Sequence, residues 1–138
     1  MYSYNCVINK IVDGDTVDIN IDLGFGVWLY NERVRIVGID APESRSSDLV
    51  EKQFGLLSTK RLKEIFNNGS TVVLVSNQFK GKFGRILGDF LVDAVSVAET
   101  MLSEGYAVPY VDSKEERDVL HLQNRAKLIN EGLIVINE

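Results

Sequence analysis

Two short acidic motifs in this chain hold residue types able to do chemistry together. Val12 to Thr16 reads "VDGDT", and Arg35 to Ser44 reads "RIVGIDAPES". If they meet across neighbouring strands, Asp13, Asp15, Asp40 and Glu43 form one acidic pocket. Carboxylates packed together repel and are pushed towards protonation. A hard cation removes that conflict, and calcium suits an oxygen-only set that includes a main-chain carbonyl and water. Pro42 fixes its own φ and biases Ala41 to an extended conformation, which holds the Ala41 carbonyl in place as one such ligand. On this expectation, neutralising Asp40 leaves the metal-free fold at least as stable while weakening the cation site. "DGD" taken alone is equally a tight-turn sequence. Asp18, Asn20 and Asp22 alternate as the solvent face of a strand and carry no chemistry. Arg35 precedes Asp40 by five residues, so a regular strand would put them on opposite faces. A bend at Gly38 would let them converge.

The elements that must position these groups are short. Period-two alternation and β-branched content predict strands over 4–12, 15–23 and 33–39, with Gly24 and Gly26 in a loop between the second and third. Phe54, Leu57, Leu62, Ile65 and Phe66 recur at helical spacing, and "NNG" at 67–69 is a stop signal. "TVVLV" (71–75) and "RILGDFLV" (85–92) read as paired strands across the loop "SNQFKGKFG". Ser96 with Glu99, and Ser113 with Glu116, are capping boxes that open two more helices, ended by Gly105 and Gly132. In the last helix Val119, Leu122, Ala126 and Ile129 share one face, which is expected to be its buried side. Three strands, a helix, two strands and two helices is the order of a five-stranded OB-type barrel, an α+β domain filling residues 1–138.

Composition narrows the function. The 138 residues are 45% hydrophobic and 25% charged, as in an ordinary globular domain. No apolar run approaches the ~20 residues of a membrane span. The start "MYSYNCVINKIV" enters strand-like alternation directly, without a basic-then-apolar leader. The expectation is therefore a cytoplasmic monomer without membrane contact. The single cysteine, Cys6, fits a reducing compartment and reads as a small buried hydrophobe, not a reactive thiol. A net charge of −5 and a pI near 4.9 argue against a protein that coats nucleic acid, which would be basic. They leave room for an enzyme that meets nucleic acid through a local basic site and a bound cation. His121, the only histidine, is expected at the surface or boundary of the last helix, without a catalytic part.

"VDGDTVDI", "RVRIVGIDAPE", "KFGRILG" and the following "EGYAVPY" occur in the order and approximate spacing of the staphylococcal nuclease (thermonuclease) family, which the chain resembles over nearly its whole length. The resemblance implies an OB-fold and calcium-dependent hydrolysis of DNA and RNA phosphodiesters to 3′-phosphate ends. It implies Asp15, Asp40 and the Ala41 carbonyl as calcium ligands, with Asp13 a carboxylate behind them. Glu43 would orient or deprotonate the attacking water, and Arg35 and Arg85 would hold the phosphate. Lys82, Phe83 and Tyr110 would contact substrate. Phe83 stands where the family carries tyrosine and so lacks a phenolic hydroxyl. Tyr106 is expected in the core or groove wall. The rivals are a catalytically silent OB-fold binding module and, last, an acidic calcium-binding structural domain, which would leave Arg35 and Arg85 without a purpose.

Overall fold

Val17, Ile19 and Ile21 are buried while Asp18, Asn20 and Asp22 between them are not, the alternation that makes Thr16–Asp22 (β2) a strand with one face in a core. The computed structural model describes residues 2–69, 71–78 and 84–136. In it β2 lies between Tyr2–Asp13 (β1) and Trp28–Ile36 (β3) as an antiparallel meander. β3 starts at Trp28, earlier than alternation from Arg33 suggests. A register irregularity opposite Ile19 and Ile21, with Asn31 at φ 55°, breaks the period-two signal there.

After Ile36 the chain bends at Gly38, whose φ of 83° suits glycine, into the two-residue strand Ile39–Asp40 (β4). The first helix, Leu49–Asn68 (α1), starts earlier than its apolar spacing shows. The Asp48 side chain caps it by accepting from the Val50 and Glu51 N–H groups. Val72–Gln78 (β5) and Ile86–Val92 (β6) pair antiparallel, and β5 also pairs with β1. A short parallel pairing, Val34–Ile36 against Ile86–Gly88, joins β3 to β6 and closes β1, β2, β3, β5 and β6 into the five-stranded OB barrel.

Val95–Ser96 (β7) leads into Val97–Ser103 (α2), and Val108–Pro109 (β8) pairs with β4 before Lys114–Asn130 (α3). Both predicted caps are made: Ser96 accepts from Glu99 N–H and Ser113 from Glu116 N–H. The core runs through the barrel, with Val17, Ile19, Val34, Ile36, Leu74 and Phe90 sealed by Phe54, Leu62 and Phe66 of α1. Tyr106 is buried at its margin, as expected.

The face expected to bury α3 is outside. Val119 and Leu122 are 54% and 59% exposed, and Ala126 and Ile129 are exposed as well. The inward face is Arg117, His121, Asn124 and Leu128, of which only Leu128 is an apolar residue packed into the core. Polar anchoring replaces apolar packing here: Asn124 donates to the Ala107 carbonyl at 3.0 Å. No helix among the described residues is long and apolar enough to cross a membrane.

Candidate active site

The two acidic motifs meet. Asp15 ends the β1–β2 hairpin, and its Oδ2 accepts the Ala41 N–H at 2.9 Å while its Oδ1 accepts the Thr16 hydroxyl at 2.9 Å. Close approach depends on Gly14, where a Cβ would come 2.8 Å from Ser58 Cβ and 3.0 Å from Ala41 Cβ. The "DGD" turn is thus also a packing element that presses the hairpin against the Asp40–Ala41 segment. Asp13 accepts from the Ser44 N–H at 3.1 Å and from the Ser44 hydroxyl, and so ties down the far end of the loop.

Arg35 bridges the motifs. Its Nη1 donates to the Ile36 carbonyl at 2.9 Å, and its Nη2 lies 3.4 Å from Asp15 Oδ2 and 3.7 Å from Asp40 Oδ1. The bend at Gly38 is what lets Arg35 and Asp40 converge despite their opposite parity. The Tyr110 N–H donates to the Gly38 carbonyl at 3.0 Å, which fixes that bend from the β8 side. Tyr110 itself is exposed, its ring facing the guanidiniums of Arg35 at 5.9 Å and Arg117 at 4.8 Å. Arg85, one residue before β6, lines the same pocket as Arg35, Gly38 and Tyr110. Glu43 is exposed on the loop and lines an adjoining cleft with Asp40, Ala41 and Pro42. Lys82 and Phe83 lie outside the described residues.

His121 sits at the boundary of α3, as expected, and meets Asp40 there, a contact the sequence reading did not foresee. Its Nε2 is 2.8 Å from Asp40 Oδ2, where Arg117 Nε also stands 3.8 Å away. The contact was missed because the sequence reading oriented α3 by its apolar stripe. The signal available was the polar series Arg117, His121, Asn124, at helical spacing and ending on Leu128.

The two central carboxylates are in opposite electrostatic situations. Burial pushes the Asp15 carboxyl above its ordinary pKa, and Arg35 with the hydrogen bonds from Ala41 and Thr16 offsets this only in part. Burial also works against ionisation at Asp40. There the hydrogen bond and charge of His121, with Arg35 and Arg117, outweigh it and hold the carboxyl below its ordinary value. The carboxyl disfavoured as an anion is therefore Asp15 and not Asp40, and the main cause is burial, with repulsion from Asp40 a lesser one.

Among the described residues no three His, Cys, Asp or Glu side chains are grouped to hold a metal ion. What does converge is a pair of carboxylates sharing one cation, the Arg35 guanidinium, with Ala41 tied to one of them. That donor set is oxygen-only, two carboxylates against one shared guanidinium, which fits a hard cation completed by a main-chain carbonyl and water.

A family model described as staphylococcal nuclease homologue matches residues 33–133. The span contains Arg35, Asp40, Ala41, Glu43, Arg85 and Tyr110; Asp13 and Asp15 precede it, and the Ala41–Asp15 hydrogen bond joins them to it. The chain is 32% identical over 112 residues to Endonuclease YncB of Bacillus subtilis (strain 168), an alignment covering 78% of this chain and 49% of that protein. It is 34% identical over 109 residues to the SPbeta prophage-derived endonuclease YokF of the same organism, covering 75% and 34%. Thermonuclease of Staphylococcus intermedius is 27% identical over 81 residues, covering 59% and 45%. The chain thus spans about half or less of the length of these relatives.

Proposed function

This chain belongs to the staphylococcal nuclease family, and we propose that it is a calcium-dependent nuclease hydrolysing DNA or RNA to leave 3′-phosphate ends. The observation that carries the reading is the convergence of Arg35, Asp15 and Asp40 where β3 and β6 close the barrel, with Arg85 just before the adjoining strand.

Hydrolysis of a phosphodiester adds charge to a centre that is already anionic. Guanidiniums engage phosphate oxygens in a planar fork, and stabilise that charge best when fixed in advance. Arg35 is fixed by its bond to the Ile36 carbonyl, while its Nη2 sits farther from both carboxylates than a charge-assisted hydrogen bond. It is therefore free to turn that nitrogen to an incoming phosphate. Arg85 approaches from the residue that leads into the other closing strand. Asp15, Asp40 and the Ala41 carbonyl would hold calcium, which supplies positive charge against the developing phosphorane when bound. Glu43, exposed on the loop beside Asp40, orients a water or takes its proton. Asp13 holds that loop through Ser44.

The test is incubation with labelled single-stranded DNA and RNA, with calcium, with magnesium or with chelator, followed by end-group analysis. Cleavage should require the cation, stop in chelator and leave 3′-phosphates. Undiminished cutting in chelator, or 3′-hydroxyl products, would overturn the assignment. Binding without cleavage under every condition would favour a silent OB-fold binding module.

A further inference from the structure

Val34 and Ile36 of β3 are sealed in the core, so Arg33 and Arg35 stand on the outer face of that strand. Strict alternation would turn Trp28 inward with Val34. The register irregularity between Ile19 and Ile21 puts one extra residue into β3 and reverses that parity. Leu29 pairs with Ile21 and packs on the core, while Trp28, paired with Asp22, stands outside on the side of Arg33 and Arg35. Three asparagines hold the bulge. Asn20 Oδ1 accepts from Asn9 Nδ2 at 2.7 Å and from the Asn31 N–H at 2.9 Å, and Asn9 Nδ2 also reaches Asn31 Oδ1 at 3.2 Å. They fix Asn31 at its φ of 55°. An aromatic pair is thereby set on the open surface. The Trp28 and Tyr30 rings lie 6.5 Å apart and 22° from parallel, 36% and 66% exposed, with Phe25 fully exposed on the turn before them.

Turning a tryptophan out to water forgoes the stabilisation of burying it, and the cleavage chemistry makes no use of either ring. The outer face of β3 is continuous with the proposed cleavage pocket. Trp28 lies seven residues before Arg35 on one strand, about 20 Å away. Between them the charges on this face are balanced. Lys10 and Arg33 flank Asp18, Asp22 accepts the Gly24 N–H, and Glu32 has the core-side parity, opposite Ile19. A polyanion is therefore not turned away here as it would be by the net charge of −5 spread over the chain. Nor is it held by its phosphates, so what this face offers a strand is flat ring surface. We propose that Trp28 and Tyr30 are a stacking platform for bases of the single strand whose phosphate sits at Arg35. The inference rests on the nuclease reading for the identity of its ligand. Every base has a π-face, so the contact is indifferent to sequence, and the roughly 4–16 nucleotides that an OB fold tracks cover the distance. A duplex keeps its base faces stacked on one another, so the platform favours single strands.

Trp28 is the only tryptophan in the chain, so its emission reports this surface alone. The test is titration in chelator with octathymidylate and with an abasic strand of the same number of phosphates, read by Trp28 emission and by anisotropy of labelled strands. Octathymidylate should quench Trp28 and the abasic strand should not. Trp28→Ala should weaken octathymidylate binding about tenfold, the scale of one base stacked on one ring, and leave the abasic strand's affinity unchanged. The slope of log affinity against log salt should stay at the parent's value, because no phosphate contact is removed. Trp28→Phe, which keeps a ring, should recover most of the affinity. If Trp28→Ala does not fold, Tyr30→Thr keeps a strand-forming residue and carries the same expectation for affinity. Equal losses for both strands, a changed salt slope, or Trp28 emission indifferent to saturating octathymidylate would overturn the platform. Emission that shifts to the blue on phosphatidylglycerol vesicles and ignores octathymidylate would overturn it in favour of a membrane contact. A parent that binds octathymidylate through Trp28 but never cleaves with calcium would overturn the nuclease reading and leave the platform standing. A parent that cleaves, with octathymidylate affinity untouched by Trp28→Ala and by Tyr30→Thr, would do the reverse.

Discussion

Asp15 and Asp40 face the same guanidinium, yet their surroundings give substitutions of opposite sign. The Asp15 carboxyl, raised by burial, holds its proton more tightly folded than unfolded. Its contribution to stability is full below the unfolded pKa and is lost as pH rises through the folded one, so at neutral pH its charge is a cost. Asp40, held low chiefly by His121, contributes stability above the unfolded pKa that is lost only as pH falls through the folded value. In chelator at neutral pH, Asp15→Asn should melt at the parent's temperature or higher, since an amide oxygen still accepts from Ala41. Asp40→Asn should cost about 1–2 kcal/mol through its weakened bonds to His121 and the arginines. Both should lose nuclease activity and most of the calcium-induced rise in melting temperature. Thermal melts of the three proteins with and without calcium decide it, and the reverse order in chelator would show that mutual repulsion at Asp40 dominates. Carboxylate crowding was legible in "VDGDT" and "GIDAPES", because it follows from residue type and a hairpin. Which carboxylate bears the strain was not, because that depends on His121, a contact between residues 81 positions apart.

At the scale of elements, α1 is the platform on which the reactive loop lies. Its buried face carries small residues where the loop crosses it. Ser58 donates to the Tyr106 carbonyl at 2.7 Å, and Gly55 lies directly beneath Glu43 and Ser44. A Cβ at residue 55 would overlap the Glu43 carbonyl and the Ser44 nitrogen, and these are backbone atoms that no rotamer change can move aside. Gly55→Ala should therefore lift the loop, displacing Glu43 and slackening the Asp13–Ser44 tie. The expected result is a stability loss of about 1–3 kcal/mol and a fall in turnover at saturating substrate of more than about tenfold, since small displacements are costly in catalysis. Near-parental turnover would show that the loop position does not matter to the chemistry. The elements themselves were readable where local chemistry decides them, as at the Ser96 and Ser113 caps. The start of β3 and the inward face of α3 were not. A bulge hides the first, and the second is set by polar contacts to Asp40 and Ala107 that have no apolar periodicity.

For the whole molecule, closing the barrel and assembling the site are one event. Arg35 pairs in register with Leu87, and Arg85 enters β6 just before the pairing of Val34 with Ile86. The Val37 N–H donates to the Gly88 carbonyl at 3.0 Å, extending this seam to the bend that brings Asp40 round. Gly88 lies where β5 crosses behind. A Cβ there would stand 2.8 Å from the Val75 carbonyl oxygen, 3.0 Å from Leu74 Cδ1 and 3.2 Å from Ser76 Cβ. A side chain at this position must push β6 away from β5, β3 or both. Gly88→Ala should therefore lower stability by about 1–3 kcal/mol and, at temperatures where the variant is still folded, reduce kcat/KM disproportionately by spreading the two arginines. Ile129→Ser, on the exposed side of α3, changes a residue with no part in the seam and should stay within about 0.5 kcal/mol of the parent. Urea unfolding set beside cleavage rates for the three proteins separates the outcomes. If Gly88→Ala loses stability but, while folded, cleaves at the parental rate, Arg35 and Arg85 keep their spacing without the β3–β6 seam. The barrel would then support the site without setting its geometry.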